Sequence, residues 1–260
     1  MIQKDFANRV VNMLKDDDRV IGLAAAGSWI TNEIDAFSDL DLVLVTRDAV
    51  AGNKTQMLAY AQQFGKLLNA FTGEHVGEPR LLICLYDDPL LHVDIKFLTL
   101  AEFHHRVENP VVLLEKDQQL TNIISNTTAA WPYPDYQWLE DRFWTWVHYG
   151  ATKLGRGEYF EAMDMLSFLR ARVLAPLLQV RNGLQPRGMR RLETNLPPAD
   201  LDRLMATVPQ YKPLSLLDAL RQSIDLYRAL REELFPAGII LQSAAEKRSM
   251  EYLEEVVAHL

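Results

Sequence analysis

Apolar residues recur at helical spacing over residues 3–15, where Phe6, Val10, Val11, Met13 and Leu14 line one stripe, and this predicts an opening helix. A short continuous apolar run over 20–26 follows and ends at Gly27-Ser28, the pattern of a buried strand. Leu40–Thr46 reads as a second strand, with β-branched residues among its apolar positions. Residues 53–71 return to helical spacing, with Gly73 just beyond as the stop signal. Two more strands, 80–86 and 91–98, meet at the turn signal Asp87-Asp88-Pro89. A short helix over 100–107 and a last strand over 111–115 complete this half.

The pattern changes at Trp131-Pro132-Tyr133-Pro134, where two prolines in three residues disfavour helix and mark a linker. Beyond it almost every segment has helical spacing: 136–154, 158–181, 198–207, 214–234 and 243–259. Glycine- and proline-bearing stretches separate them. The expected architecture is therefore α+β. A small mixed β-sheet with flanking helices is expected over residues 1–130, and an all-α helical bundle over 131–260.

Composition narrows the class. The 260 residues are 48% hydrophobic and 24% charged, which is ordinary for a soluble globular protein. A single cysteine, Cys84, excludes an internal disulfide and fits a reducing cytoplasm; within its apolar strand it reads as inert core. The longest apolar run falls far short of the roughly 18 residues needed to span a bilayer, so no membrane role is expected. Net charge is −8, with no basic block. That balance argues against a nucleic-acid binder and suggests that any bound nucleotide is met through a cation.

The residues that carry chemistry lie around Asp39-Leu40-Asp41. In a strand, positions two apart share a face, so Asp39 and Asp41 project together and Leu40, Leu42 and Leu44 take the other side. Two carboxylates about 4 Å apart repel by roughly 4 kcal/mol at an effective dielectric near 20. A divalent cation between them removes that repulsion, and oxygen ligands joined by nucleotide phosphates are what Mg²⁺ prefers. Gly27-Ser28 precedes a helical segment expected at about 29–36, where glycine permits close approach and free amides attract phosphate. Ser28 can add a hydroxyl or cap that helix, and Ser38 can hydrogen-bond a phosphate or act as a ligand. The third acid is Asp94. In Leu91-His92-Val93-Asp94-Ile95-Lys96-Phe97 it shares the polar face with His92 and Lys96. It is a candidate third metal ligand or general base. His92 and Lys96 are read as surface or supporting positions.

The set Gly27-Ser28, Asp39-x-Asp41 and Asp94 resembles the DNA polymerase β-type nucleotidyltransferase superfamily. Within it the chain is similar to the aminoglycoside (streptomycin) adenylyltransferases and lincosamide nucleotidyltransferases. Leu113-Leu114-Glu115-Lys116-Asp117 is similar to the strand end that precedes the family's helical domain, with Glu115 where an aspartate is usual. Tyr149 to Arg156 resembles a segment of the streptomycin enzymes whose lysine, here Lys153, reaches nucleotide phosphates. The resemblance implies Mg²⁺-dependent transfer of a nucleoside monophosphate, AMP from ATP or another nucleoside triphosphate. The acceptor it implies is a hydroxyl of a small molecule of the aminoglycoside kind. Asp39, Asp41 and Asp94 are the implied metal and catalytic residues, and Gly27, Ser28, Ser38 and Lys153 the nucleotide contacts.

Arg142, Trp146, Tyr149 and Lys153 fall on one stripe of the first bundle helix, opposite Phe143, Val147 and Leu154. That stripe can meet a nucleotide, or be the outer face of an amphipathic helix. Glu158, Glu161 and Asp164 are candidates for a cationic acceptor. Two other classes compete. Arg142 and His148 are spaced like the Arg-x(4–6)-His motif of HEPN ribonucleases, although helical geometry turns them about 120° apart. The chain can also be a nucleotide-binding regulator without transfer activity.

Overall fold

The computed structural model describes residues 1–260, which form two compact units, Met1–Trp131 and Pro132–Leu260. In the first unit, helix α1 (Ile2–Leu14) buries Phe6, Ala7, Val10 and Leu14, the three-four spacing that reads as one face. Strands β1 (Val20–Ala25) and β2 (Leu40–Thr46) follow, then α2 (Lys54–Phe64), β3 (Lys66–Gly73), β4 (Glu78–Asp87) and β5 (Leu91–Thr99). A single helical turn, α3 (Leu100–Phe103), precedes β6 (Val111–Glu115) and α4 (Gln119–Asn126). The strands build one mixed sheet in the order β3-β4-β5-β2-β1-β6. Only β2 and β5 run parallel; the other pairs are antiparallel.

Helices α1 and α2 cover one face of this sheet. Phe6, Val10, Met57, Tyr60 and Phe64 pack there on Leu40, Leu42, Leu44, Val93, Ile95 and Phe97. The other face is covered at one end only, where Phe103 of α3 and Leu120 and Ile123 of α4 pack on Ile21, Val45 and Leu98. Asp41, second in β2, and Asp94, fourth in β5, belong to this second face, and both are part-exposed.

Four segments depart from the sequence reading. The helix expected to reach residue 71 stops at Phe64, and Gly65 turns the chain into β3. Glycine disfavours helix by about 1 kcal/mol, and β4 offers Lys66–Gly73 a full ladder of partners. No helix forms over 29–36, where only a tight 3₁₀ turn, Gly27–Trp29, is present. The short helix expected over 100–107 closes after Phe103, although Thr99 and Glu102 give it a reciprocal capping box. Helix α4 was not anticipated at all. Its Leu120 closes over Gly22 of β1, where a Cβ would lie 1.9 Å from the Leu120 side chain.

The second unit comprises α5 (Tyr136–Gly155), α6 (Tyr159–Leu169), α7 (Ala175–Arg181), α8 (Leu192–Asn195), α9 (Pro198–Met205), α10 (Pro213–Leu234) and α11 (Ser243–Val257). Between α6 and α7 the helix widens into a π turn, Arg170–Leu174. Pro176 follows at the start of α7, and the wider turn relieves its ring against the carbonyl four residues earlier. The core joins Phe143, Trp144 and Val147 of α5 to Leu220, Ile224 and Tyr227 of α10. The Phe143 and Tyr227 rings stack at 3.6 Å. Inside it lies Glu140, fully buried. Its carboxylate accepts hydrogen bonds from Trp144 Nε1 at 3.2 Å, Tyr227 Oη at 2.7 Å, Arg231 at 3.2 Å and the Gln242 amide at 3.0 Å. No helix in either unit is long and apolar enough to cross a membrane.

Candidate active site

Two strands distant in sequence bring the acids together. In the parallel pairing of β2 with β5, Asp41 is the direct register partner of Asp94. Register partners in a sheet project to the same side. Their flanking residues Leu40, Leu42, Val93 and Ile95 are all buried on the far face, so the apolar alternation is what turns both carboxylates outward. Asp39 stands two residues before Asp41, just ahead of β2, and is part-exposed.

Gly27 closes the site from β1. The Ala26 amide donates to the Asp41 carbonyl at 2.9 Å, which extends the β1–β2 ladder by one bond. Gly27 itself has φ +58°, and a Cβ there would sit 2.0 Å from Asp41 Oδ2. Only glycine fits both that backbone and that gap. The free helical amides expected beyond it are absent, because the chain makes a single 3₁₀ turn. The Gly27 amide instead donates to Glu108 Oε1 at 3.3 Å. Glu108 lies in the loop before β6, and nothing in its local sequence signals the contact. It depends on β6 pairing with β1 through Ala25 and Val111.

Ser28 is part-exposed within the 3₁₀ turn and has no helix to cap. The Ser38 hydroxyl is engaged by Asp35. It donates to Asp35 Oδ1 and accepts from the Asp35 amide, both at 3.0 Å. His92 reaches Asp94 instead, with Nε2 2.9 Å from Oδ1. Lys96, on the same strand face, pairs with Glu78 at 2.8 Å. Cys84 is core, and burial pushes its thiol up to about 12. A residue the sequence reading passed over is Gln3, only 1% exposed, whose amide donates to the carbonyls of Asp35 at 3.0 Å and Ser38 at 2.7 Å. It ties the first turn of α1 to the loop that enters the acid pair.

No group of three or more His, Cys, Asp or Glu side chains is drawn to metal-ligating distance. The acids form one in-register pair with Asp39 beside it, not a closed triad. The donor set still suits a hard divalent cation, since it offers carboxylate oxygens alone, at a partly exposed strand end.

A family profile described as streptomycin adenylyltransferase matches residues 2–256. The chain belongs to that family. As a streptomycin adenylyltransferase family member it is a nucleotidyltransferase, with the mixed sheet and helical unit described above. Among solved structures it is similar to an aminoglycoside 6-adenyltransferase from Bacillus subtilis, at 18% identity over 98% of each chain and a TM-score of 0.44. It is also similar to a nucleotidyltransferase-like protein from Exiguobacterium sibiricum, at 11% identity over 99% of this chain and 90% of that one, with a TM-score of 0.40. No curated protein matches it by sequence.

In this family member's helical unit, Lys153 is held by its own neighbours. Its ammonium pairs with Glu158 at 2.7 Å and with Glu161, and lies 4.9 Å from the centre of the Tyr149 ring. The bonds to Glu158 and then Glu161 raise its pKa, so it stays charged. A phosphate must displace two carboxylates to reach it. The same pairs, with Arg156 to Glu158 at 2.8 Å, already engage Glu158 and Glu161, two of the three acids considered for a cationic acceptor. Arg142 lies over Trp138 at 4.4 Å, whereas His148 stacks on Tyr252 of α11 at 4.6 Å. The spacing suggestive of a ribonuclease thus gives two residues with separate partners.

Proposed function

We propose that the protein transfers AMP from ATP to a hydroxyl of a small aminoglycoside-like acceptor. The in-register pairing of Asp41 with Asp94 is the observation that carries this reading, in a chain whose family is named for streptomycin adenylylation. Asp39, Asp41 and Asp94 would hold Mg²⁺, which would neutralise phosphate charge and orient the triphosphate. Gly27 keeps the backbone close enough for phosphate oxygens to approach the acids, and Ser28 adds a hydroxyl donor. Asp94, held by His92, takes the acceptor's proton as its oxygen bonds to the α-phosphorus. The bond from that phosphorus to the bridging oxygen breaks, and pyrophosphate leaves with the electron pair. Lys153 joins only by exchanging its carboxylates for phosphate.

Pyrophosphate release on mixing the purified protein with Mg²⁺, ATP and streptomycin tests this. Asp41→Asn should lower the rate by at least about a hundredfold while leaving the melting temperature unchanged. A variant that keeps the wild-type rate refutes the assignment.

A further inference from the structure

Beside the acids lies a cleft of about 360 Å³ lined by Phe37, Ser38, Asp39, Leu85, Leu90, Leu91 and His92. We infer that this cleft binds the acceptor, as a hydroxylated ring that lays one apolar face on Phe37 and Leu90 and turns its polar edge to Asp39 and His92. The inference rests on the transferase reading and names the place and the contacts of the second substrate.

Three observations support it. First, the lining mixes two kinds of surface. Phe37 is 97% exposed, Leu90 64% and Leu85 38%, so apolar surface is presented to water. Among these residues stand the Asp39 carboxylate and the His92 imidazole, and His92 is bonded onward to Asp94 at 2.9 Å. A sugar or cyclitol ring has the matching anatomy, with C–H faces that pack on an aromatic ring and hydroxyls or amines at its rim.

Second, none of the lining side chains is Lys or Arg. With the Asp39 carboxylate in its lining, the cleft suits a neutral or cationic ring. Third, Phe37 is presented by a braced turn. Asp35 Oδ1 accepts from the Phe37 amide at 2.8 Å and from the Ser38 hydroxyl at 3.0 Å. Gln3 holds the same turn from beneath through the carbonyls of Asp35 and Ser38. The backbone that carries the ring is fixed by these four hydrogen bonds, so little backbone freedom is lost on binding.

The test is calorimetric titration of streptomycin into the full-length protein with Mg²⁺ and a non-hydrolysable ATP analogue, with separate titration of the analogue. Phe37→Ala should weaken streptomycin binding about fivefold, and Phe37→Trp should restore it. The analogue's affinity should move less than twofold in either variant. Leu68→Ser, on the exposed edge strand β3 and outside the cleft, should bind both ligands as the wild type does. If Phe37→Ala and Leu90→Ser bind streptomycin as tightly as the wild type, the cleft is not the acceptor site and transferase chemistry stands. If Phe37→Ala instead weakens the ATP analogue, the ring stacks a nucleobase and the inference is overturned. A wild-type protein that binds the analogue but not streptomycin overturns both the proposed acceptor class and this placement.

Discussion

Glu140 in the helical unit and Asp41 in the α/β unit are both carboxylates bordered by apolar side chains, and the protein treats them in opposite ways. Glu140 has no solvent exposure and collects donors from α5, α10 and the segment leading into α11. Its charge is closed off, and the helices that supply the donors are locked to one another through it. Asp41 and Asp94 are set level on adjacent strands, part-exposed, at the end of a sheet face that α3 and α4 leave uncovered. Like charges placed side by side raise the energy of the folded state. The contrast separates a carboxylate that serves the fold from carboxylates that we propose serve a ligand.

The sharpest way to break the comparison is to remove Glu140. Glu140→Ala leaves Arg231, Tyr227 and Trp144 without their acceptor, and should lower stability by about 3–5 kcal/mol, read from urea unfolding. Asp41→Asn should leave that midpoint in place. Equal destabilisation by the two would erase the distinction. Gly27→Ala comes next. Its Cβ would meet Asp41 Oδ2 at 2.0 Å from a left-handed backbone, so the carboxylate must move. Transfer should fall by about a hundredfold, with a stability loss of only about 1–3 kcal/mol.

Gln3→Leu sharpens the picture further. It keeps the volume roughly constant but drops both hydrogen bonds to the 35–38 loop. The Michaelis constant for the acceptor should rise about fivefold, with kcat changed much less. A fall in kcat alone would show that Gln3 does not act through the loop. The smallest effect concerns Glu78. Arg80, and then Lys96, hold its carboxyl at about 2, below the ordinary 4.5. The folded state therefore binds the proton less readily than the unfolded chain, and the stability Glu78 contributes is whole above about pH 4.5 and lost as pH falls towards 2. Glu78→Gln should melt below the wild type at pH 7 and match it near pH 2.

How far these features were legible in the chain depends on the range of the interaction that makes them. β2 and β6 begin and end where their apolar patterns do, because alternation or a short apolar run is a local signal. The helices of the second unit were legible for the same reason, down to the break before Pro213. β3 was hidden because Leu67, Ala70 and Phe71 fit helical spacing as well as an edge strand, and only β4 decides between them. The outward turn of Asp41 and Asp94 followed from their apolar neighbours, but their register did not, since it needs β5 to lie parallel to β2. Glu108 at Gly27 and Gln3 under residues 35–38 join positions 81 and at least 32 residues apart. No window along the chain contains such pairs.

The parallel alignment of β2 and β5 also limits how the turn at 88–90 can change length. Side chains alternate along a strand, so parity matters more than distance. One residue added between His92 and Asp94 would send that acid into the packed layer and push an apolar neighbour out beside Asp41. Two would restore the orientation but displace it one step along the sheet. Variation in this protein should therefore gather at the tip of the turn, where slack is absorbed before β5 begins, and spare the three residues that open the strand.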